Sequence, residues 1–184
     1  MKASMRALSA GVVVMAWVAC AGVVASGQTN EKKDAKNLAV NGGFEDVREG
    51  LPAGWFTVCN DGGTVTHKAV AEGAKEGKHC LQLKFKGEWA VAGSPKVKID
   101  RTKVYSLTGF AKVKEGSVTI KIDYYKGDEY LAHSESEHSM KGEWTQLKVG
   151  SELDDHKEAT HILIAAVIHG DGEAYFDGFV LTAK

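Results

Sequence analysis

Val104-Tyr105-Ser106-Leu107-Thr108-Gly109-Phe110-Ala111-Lys112-Val113 changes character at every step. Successive side chains of a strand point to opposite faces. Tyr105, Leu107, Gly109, Ala111 and Val113 therefore share one face, while Ser106, Thr108, Phe110 and Lys112 share the other. Ser117–Tyr125 repeats the pattern, with Val118, Ile120, Ile122 and Tyr124 inward and Lys121, Asp123 and Tyr125 outward. Lys126-Gly127-Asp128-Glu129 follows as a turn. Leu81–Phe85 alternates in the same way, and Trp144–Val149 and Ala174–Leu181 complete the set. Thr160–His169 is more continuously apolar, which predicts a central strand covered on both faces. Glu152–Ala159 reads as one helical turn. With no long helical period and glycine-containing turns between short alternating runs, the expected fold is all-β, an antiparallel β-sandwich of about eight strands.

The first residues stand apart from this pattern. Lys2 and Arg6 form a basic start, Gly11–Val24 is almost wholly apolar, and Val23-Val24-Ala25 has small residues where a signal peptidase cuts. The expected organisation is a signal peptide over 1–25, a flexible charged lead-in over 26–36 and one β-sandwich domain over 37–184. A retained membrane anchor is the alternative, although the apolar run is barely long enough to span ~30 Å of hydrocarbon. Cys20 follows a small residue, but Trp17 stands where a lipobox has leucine, so lipidation ranks below simple cleavage.

Loss of Lys2 and Arg6 takes the 23 basic residues to 21 against 24 acidic. A mildly acidic chain without basic clusters argues against nucleic acid. The remaining sequence also has no basic amphipathic helix for a lipid surface, so no membrane insertion of the mature chain is expected. Cys59 and Cys80 are then the only cysteines. In an exported protein such a pair reads first as a disulfide, with two buried thiols as the alternative.

Three further segments carry a resemblance. Asn41-Gly42-Gly43-Phe44-Glu45 opens the domain, Leu51-Pro52-Ala53-Gly54-Trp55 follows, and Tyr175-Phe176-Asp177-Gly178-Phe179-Val180-Leu181 closes it. In this order and spacing they resemble carbohydrate-binding modules of families 4 and 9, β-sandwiches of the galactose-binding-like jelly-roll type. The resemblance covers roughly Asn37 to Ala183. It implies that Glu45 and Asp177 lie side by side and help to hold a structural Ca2+ ion, with the glycine-containing loop Glu72–Lys78 supplying carbonyls. Gly178 stands where the family usually has a second Asp, which removes one oxygen donor. The alternative is that Glu45 caps the loop through backbone N–H groups while Asp177 fixes a turn.

The resemblance also implies a sugar ligand. Sugar rings present C–H-rich faces to flat aromatic surfaces, and their hydroxyls need polar partners. Trp55 resembles the family's core tryptophan, and Trp144 also reads as core. Trp89 lies in a small-residue stretch, Ala90-Val91-Ala92-Gly93, where the resembled modules place a groove-lining aromatic. Phe110 and Tyr125 fall on outward faces, with Asp123 beside Tyr125. Trp89, Phe110, Tyr125 and Asp123 are therefore the candidate carbohydrate-binding residues. In His133-Ser134-Glu135-Ser136-Glu137-His138 the histidines point opposite ways on an ideal strand, so the segment itself offers no chelating pair. No nucleophile elbow, zinc-protease motif or phosphate loop is present.

The expectation from the sequence is thus a secreted, periplasmic or cell-surface carbohydrate-binding module that is not an enzyme. The alternative is a sandwich that binds protein or cell-envelope components.

Overall fold

The computed structural model describes residues 36–140 and 142–184. The signal peptide, the lead-in before Lys36 and Cys20 lie outside the described residues. Along the chain the strands are β1 (Val47–Arg48), β2 (Leu51–Pro52), β3 (Phe56–Cys59), β4 (Thr64–Val70), β5 (Cys80–Lys86) and β6 (Trp89–Gly93), followed by β7 (Val97–Lys98), β8 (Tyr105–Lys126), β9 (Glu129–Glu135), β10 (Ser139–Met140), β11 (Thr145–Gly150) and β12 (His161–Ala183). Every pairing is antiparallel. No helix among the described residues is long and apolar enough to cross a membrane.

Two long strands organise the sandwich. β8 and β12 pair along nearly their whole length, with a register shift between His169 and Glu173. Gly116 and Gly170, at φ +86° and +73°, occupy the left-handed region at this break. Beyond it each strand continues in the other layer. The first layer is β4, β5, the C-terminal half of β12, the N-terminal half of β8 and β11. The second is β3, β6, the N-terminal half of β12, the C-terminal half of β8 and β9.

Alternation fills the space between the layers. Leu81, Leu83, Tyr105, Leu107, Ala111 and Val113 face inward from the first, and Val118, Ile120, Ile122, Ile162, Ile164 and Ile168 from the second, in one buried cluster. Trp55 is core, as expected. Its ring lies 4.9 Å from Phe44 and 5.6 Å from Phe179, and its indole N–H donates to the Val40 carbonyl. The two ends of the domain meet here, because Phe179 N donates to Gly42 O at 2.8 Å and Leu38 N to Leu181 O.

Three local expectations are corrected. Glu152–Ala159 forms turns closed by bonds from Asp155, His156 and Ala159 to the carbonyls three residues before, and Arg101 also bonds the carbonyls of Leu153, His156 and Ala159. Trp144 is half-buried rather than core, with its indole N–H reaching the Gly73 carbonyl. Cys59 and Cys80 are free thiols, not a disulfide. Cys59 adjoins Asn60, which packs with Gly63 near Phe85, whereas Cys80 opens β5 at its other end. Five residues of strand separate Cys80 from Phe85, about 17 Å, and a disulfide needs Cα atoms within about 7 Å. The Cys80 thiol is buried, and burial followed by the nearby Asp177 charge pushes its pKa up to about 12.

Candidate functional site

The outer face of the second layer is a cleft of about 460 Å3. Alternation that sends Ile162, Ile164 and Ile168 inward must send Leu163, Ala165 and Val167 outward on the same strand. These three join Val91 in a second buried apolar cluster, separate from the core, with Tyr125 packed against it. This is why Thr160–His169 reads as covered on both faces. One side faces the core, and the other is a cleft floor shaded by its walls.

Phe56 and Val58 of β3 and Trp89 of β6 form one wall. Phe56, Val58 and Trp89 are exposed at 44%, 47% and 40%, unusual for large apolar side chains that sit together. Gly93 pairs with Phe56, and a Cβ there would approach 2.8 Å from the Phe56 ring, so the glycine lets that ring lie across β6. The opposite wall comes from the β8–β9 hairpin. Register puts Lys121 opposite Glu135, Asp123 opposite His133 and Tyr125 opposite Tyr130. The two tyrosine rings meet edge to face at 5.7 Å, Lys96 Nζ lies 4.2 Å over the Tyr125 ring, and Tyr130 Oη bonds His133 Nδ1 at 2.6 Å.

The polar floor is built around Asp123, which is 4% exposed. Lys121 Nζ stands 3.0 Å from Asp123 Oδ1, close enough for charge pairing. Burial pushes the Asp123 carboxyl up from its ordinary value, and Lys121 opposes the shift. One ammonium fills only part of a carboxylate's acceptor capacity and uses only part of its own three donors, so both groups can still bond ligand hydroxyls.

Trp89, Tyr125 and Asp123 are therefore brought into one cleft, and Phe110 is not. Phe110 lies on the outer face of the first layer, with Lys75 Nζ 5.2 Å over its ring. The cause is the layer change within β8. Its outward row before the break faces one side of the sandwich, and its outward row after the break faces the other. Phe56, Val58, Tyr130 and His133 were missed. Phe56 and Val58 belong to a four-residue strand too short to show alternation. Tyr130 and His133 were legible through the hairpin turn at 126–129, which sets them opposite Tyr125 and Asp123.

Glu45 and Asp177 flank one loop, but its chemistry does not suit calcium. Asp177 accepts from the backbone N–H groups of Lys75, Glu76 and Gly178 at 2.7–2.9 Å. Glu45 Oε1 accepts from Lys78 N at 2.7 Å and His79 N at 3.1 Å. These backbone bonds hold the Glu45 carboxyl below its ordinary value. Gly77, at φ +61°, allows the approach, because a Cβ there would collide with the Glu45 carboxylate. The loop offers amide N–H where a calcium ion needs oxygen. The two carboxylates cap the loop.

Comparisons with known proteins bear on this geometry. Among solved structures, the family 11 carbohydrate-binding module of the cellulosomal cellulase Lic26A-Cel5E of Clostridium thermocellum is 14% identical, with a TM-score of 0.59 over 82% of this chain and 95% of that one. TmCBM61 in complex with β-1,4-galactotriose is 19% identical, with a TM-score of 0.56 over 82% and 100%. An apo form cyclase from Fischerella sp. is 17% identical, with a TM-score of 0.57 over 80% and 95%. At these identities the likeness is one of fold, which hosts both binders and an enzyme. No curated protein matches the chain significantly. The sequence profile of the carbohydrate binding domain of families 4 and 9 matches residues 36–162, and the chain belongs to that family.

Proposed function

We propose that the protein is an exported, non-catalytic module that binds a poly- or oligosaccharide in the cleft of the second layer. The observation that carries this reading is the exposed Trp89 on a cleft whose floor joins an apolar stripe to the buried Asp123–Lys121 ion pair. Trp89 and the Tyr125–Tyr130 pair offer flat apolar surfaces to sugar rings. Asp123 and Lys121 offer an acceptor and a donor to hydroxyls. Trp89 stands opposite His169 and Tyr125 opposite His161, eight residues apart on β12. That is about 26 Å of strand, which suits a chain better than a single ring. Trp89's exposure favours a sugar over a scaffold role, in which it would be buried. Export rests on the N-terminal segment, and the cell surface or the surrounding medium is the proposed location.

A glycan array followed by calorimetry tests the reading. For a responsive glycan, Trp89→Ala and Asp123→Asn should each weaken binding at least tenfold, about 1.4 kcal/mol. Phe110→Ala, on the opposite face, should bind as the unaltered protein does. Normal binding by both Trp89→Ala and Asp123→Asn would move the site elsewhere.

A further inference from the structure

At the Trp89 end of the cleft, three metal-ligating side chains converge from separate strand segments. Glu135 ends β9, His138 lies in the break before β10, and His169 sits on β12 as the register partner of Trp89. One ligand atom from each lies within 4.8 Å of the others. His169 Nε2 is 3.5 Å from Glu135 Oε1, and the His138 and His169 rings are 4.8 Å apart. The chelating pair that the His133–His138 segment lacks on its own strand is completed by a histidine from across the sheet.

We propose that Glu135, His138 and His169 form a binding site for a divalent transition metal of the zinc type. Ligand atoms 2.0–2.2 Å from a tetrahedral zinc lie roughly 3.3–3.5 Å from each other. The His169–Glu135 separation already meets this, and His138, being exposed, has room to swing the remaining distance. Two imidazoles and one carboxylate favour zinc, nickel or copper over calcium or magnesium, which take oxygen ligands. Three protein ligands leave a fourth position open. Glu135 and His169 both line the cleft, so an ion held here would lie at its edge. Thr119 Oγ1 donates to Glu135 Oε1 and lies 3.2 Å from His169 Nε2, so a bound ion would displace this hydroxyl from both ligand atoms; Ser117 Oγ lies 3.4 Å from His138 Nδ1. Lys121 opposes a cation here, but its ammonium is paired with Asp123.

Metal binding is measured without any sugar, so its outcome is independent of the carbohydrate reading. Calorimetric titration of ZnCl2 into untagged protein should show one ion per chain. His138→Ala and His169→Ala should each weaken binding at least tenfold, while His133→Ala and Cys59→Ser should not. Thermal melts without metal verify that the variants remain folded, and His138, exposed outside the strands, is the substitution least able to disturb the fold. Absence of zinc binding, or equal affinity in His138→Ala, overturns the proposal. Loss in Cys59→Ser alone would place the ion on the half-buried thiol and overturn it equally.

Discussion

The two outer faces of the sandwich are built by the same alternation and end up chemically opposite. On the first layer, Glu173 accepts from Gln82 and Lys114 at 2.9 Å and from Tyr175, while Lys84 Nζ lies 3.2 Å away. Lys114 also donates to Tyr175 Oη and lies 4.9 Å over its ring. This face satisfies its own polar groups. The second layer sets the Asp123–Lys121 pair beside exposed Trp89, Phe56 and Val58. A face that closes its own network has little to offer a ligand, whereas an ion pair with unused donors and acceptors beside exposed aromatics has both polar and apolar contacts to give.

The largest expected effect separates the tryptophans of core and cleft. Trp55→Ala removes a ring packed on Phe44 and Phe179, and should cost about 3–5 kcal/mol of stability. Trp89→Ala creates no core cavity and should cost well under half of that. Urea melts of both variants measure it. Equal losses would mean that the cleft wall is a structural face like the core.

A smaller effect tests the closed network of the first layer by pH. Burial would raise the Glu173 carboxyl, but hydrogen bonds from Tyr175, Lys114, Lys84 and Gln82 outweigh it and hold the pKa at about 2, against an ordinary 4.5. A depressed carboxylate contributes stability that is complete above the unfolded pKa and is lost as pH falls through the folded one. Glu173 should therefore withdraw its contribution between about pH 4.5 and about pH 2. Glu173→Gln should be less stable at neutral pH and should flatten that acid limb. An unchanged slope in denaturant melts across this window would show that the network contributes nothing.

The smallest expected effect concerns the loop held by Glu45 and Asp177. With amide N–H groups on Asp177 and on one oxygen of Glu45, a chelator should leave the melting temperature of zinc-free protein unchanged. A fall on chelation, restored by calcium, would give the loop a metal it has no evident oxygen cage for.

The strands that bound the cleft floor were legible because period-two alternation records, at each residue, whether the side chain meets apolar core or something else. Ser117–Tyr125 places Lys121, Asp123 and Tyr125 outward in sequence and in structure alike. Its reading stops at the word outward. Phe110 and Tyr125 occupy equivalent outward rows of one strand yet lie on opposite sides of the molecule, because the break at Gly116 carries β8 from one layer to the other.

The all-β sandwich, the core around Trp55 and the family can each be read along the chain, since they rest on local periodicity or on short motifs. The folded chain alone shows which outward rows share a face, that Cys59 of β3 and Cys80 of β5 remain free thiols, and that His138 meets His169. Those depend on strand register and layer order, which are set by the packing of residues far apart in sequence and leave no trace in any single segment.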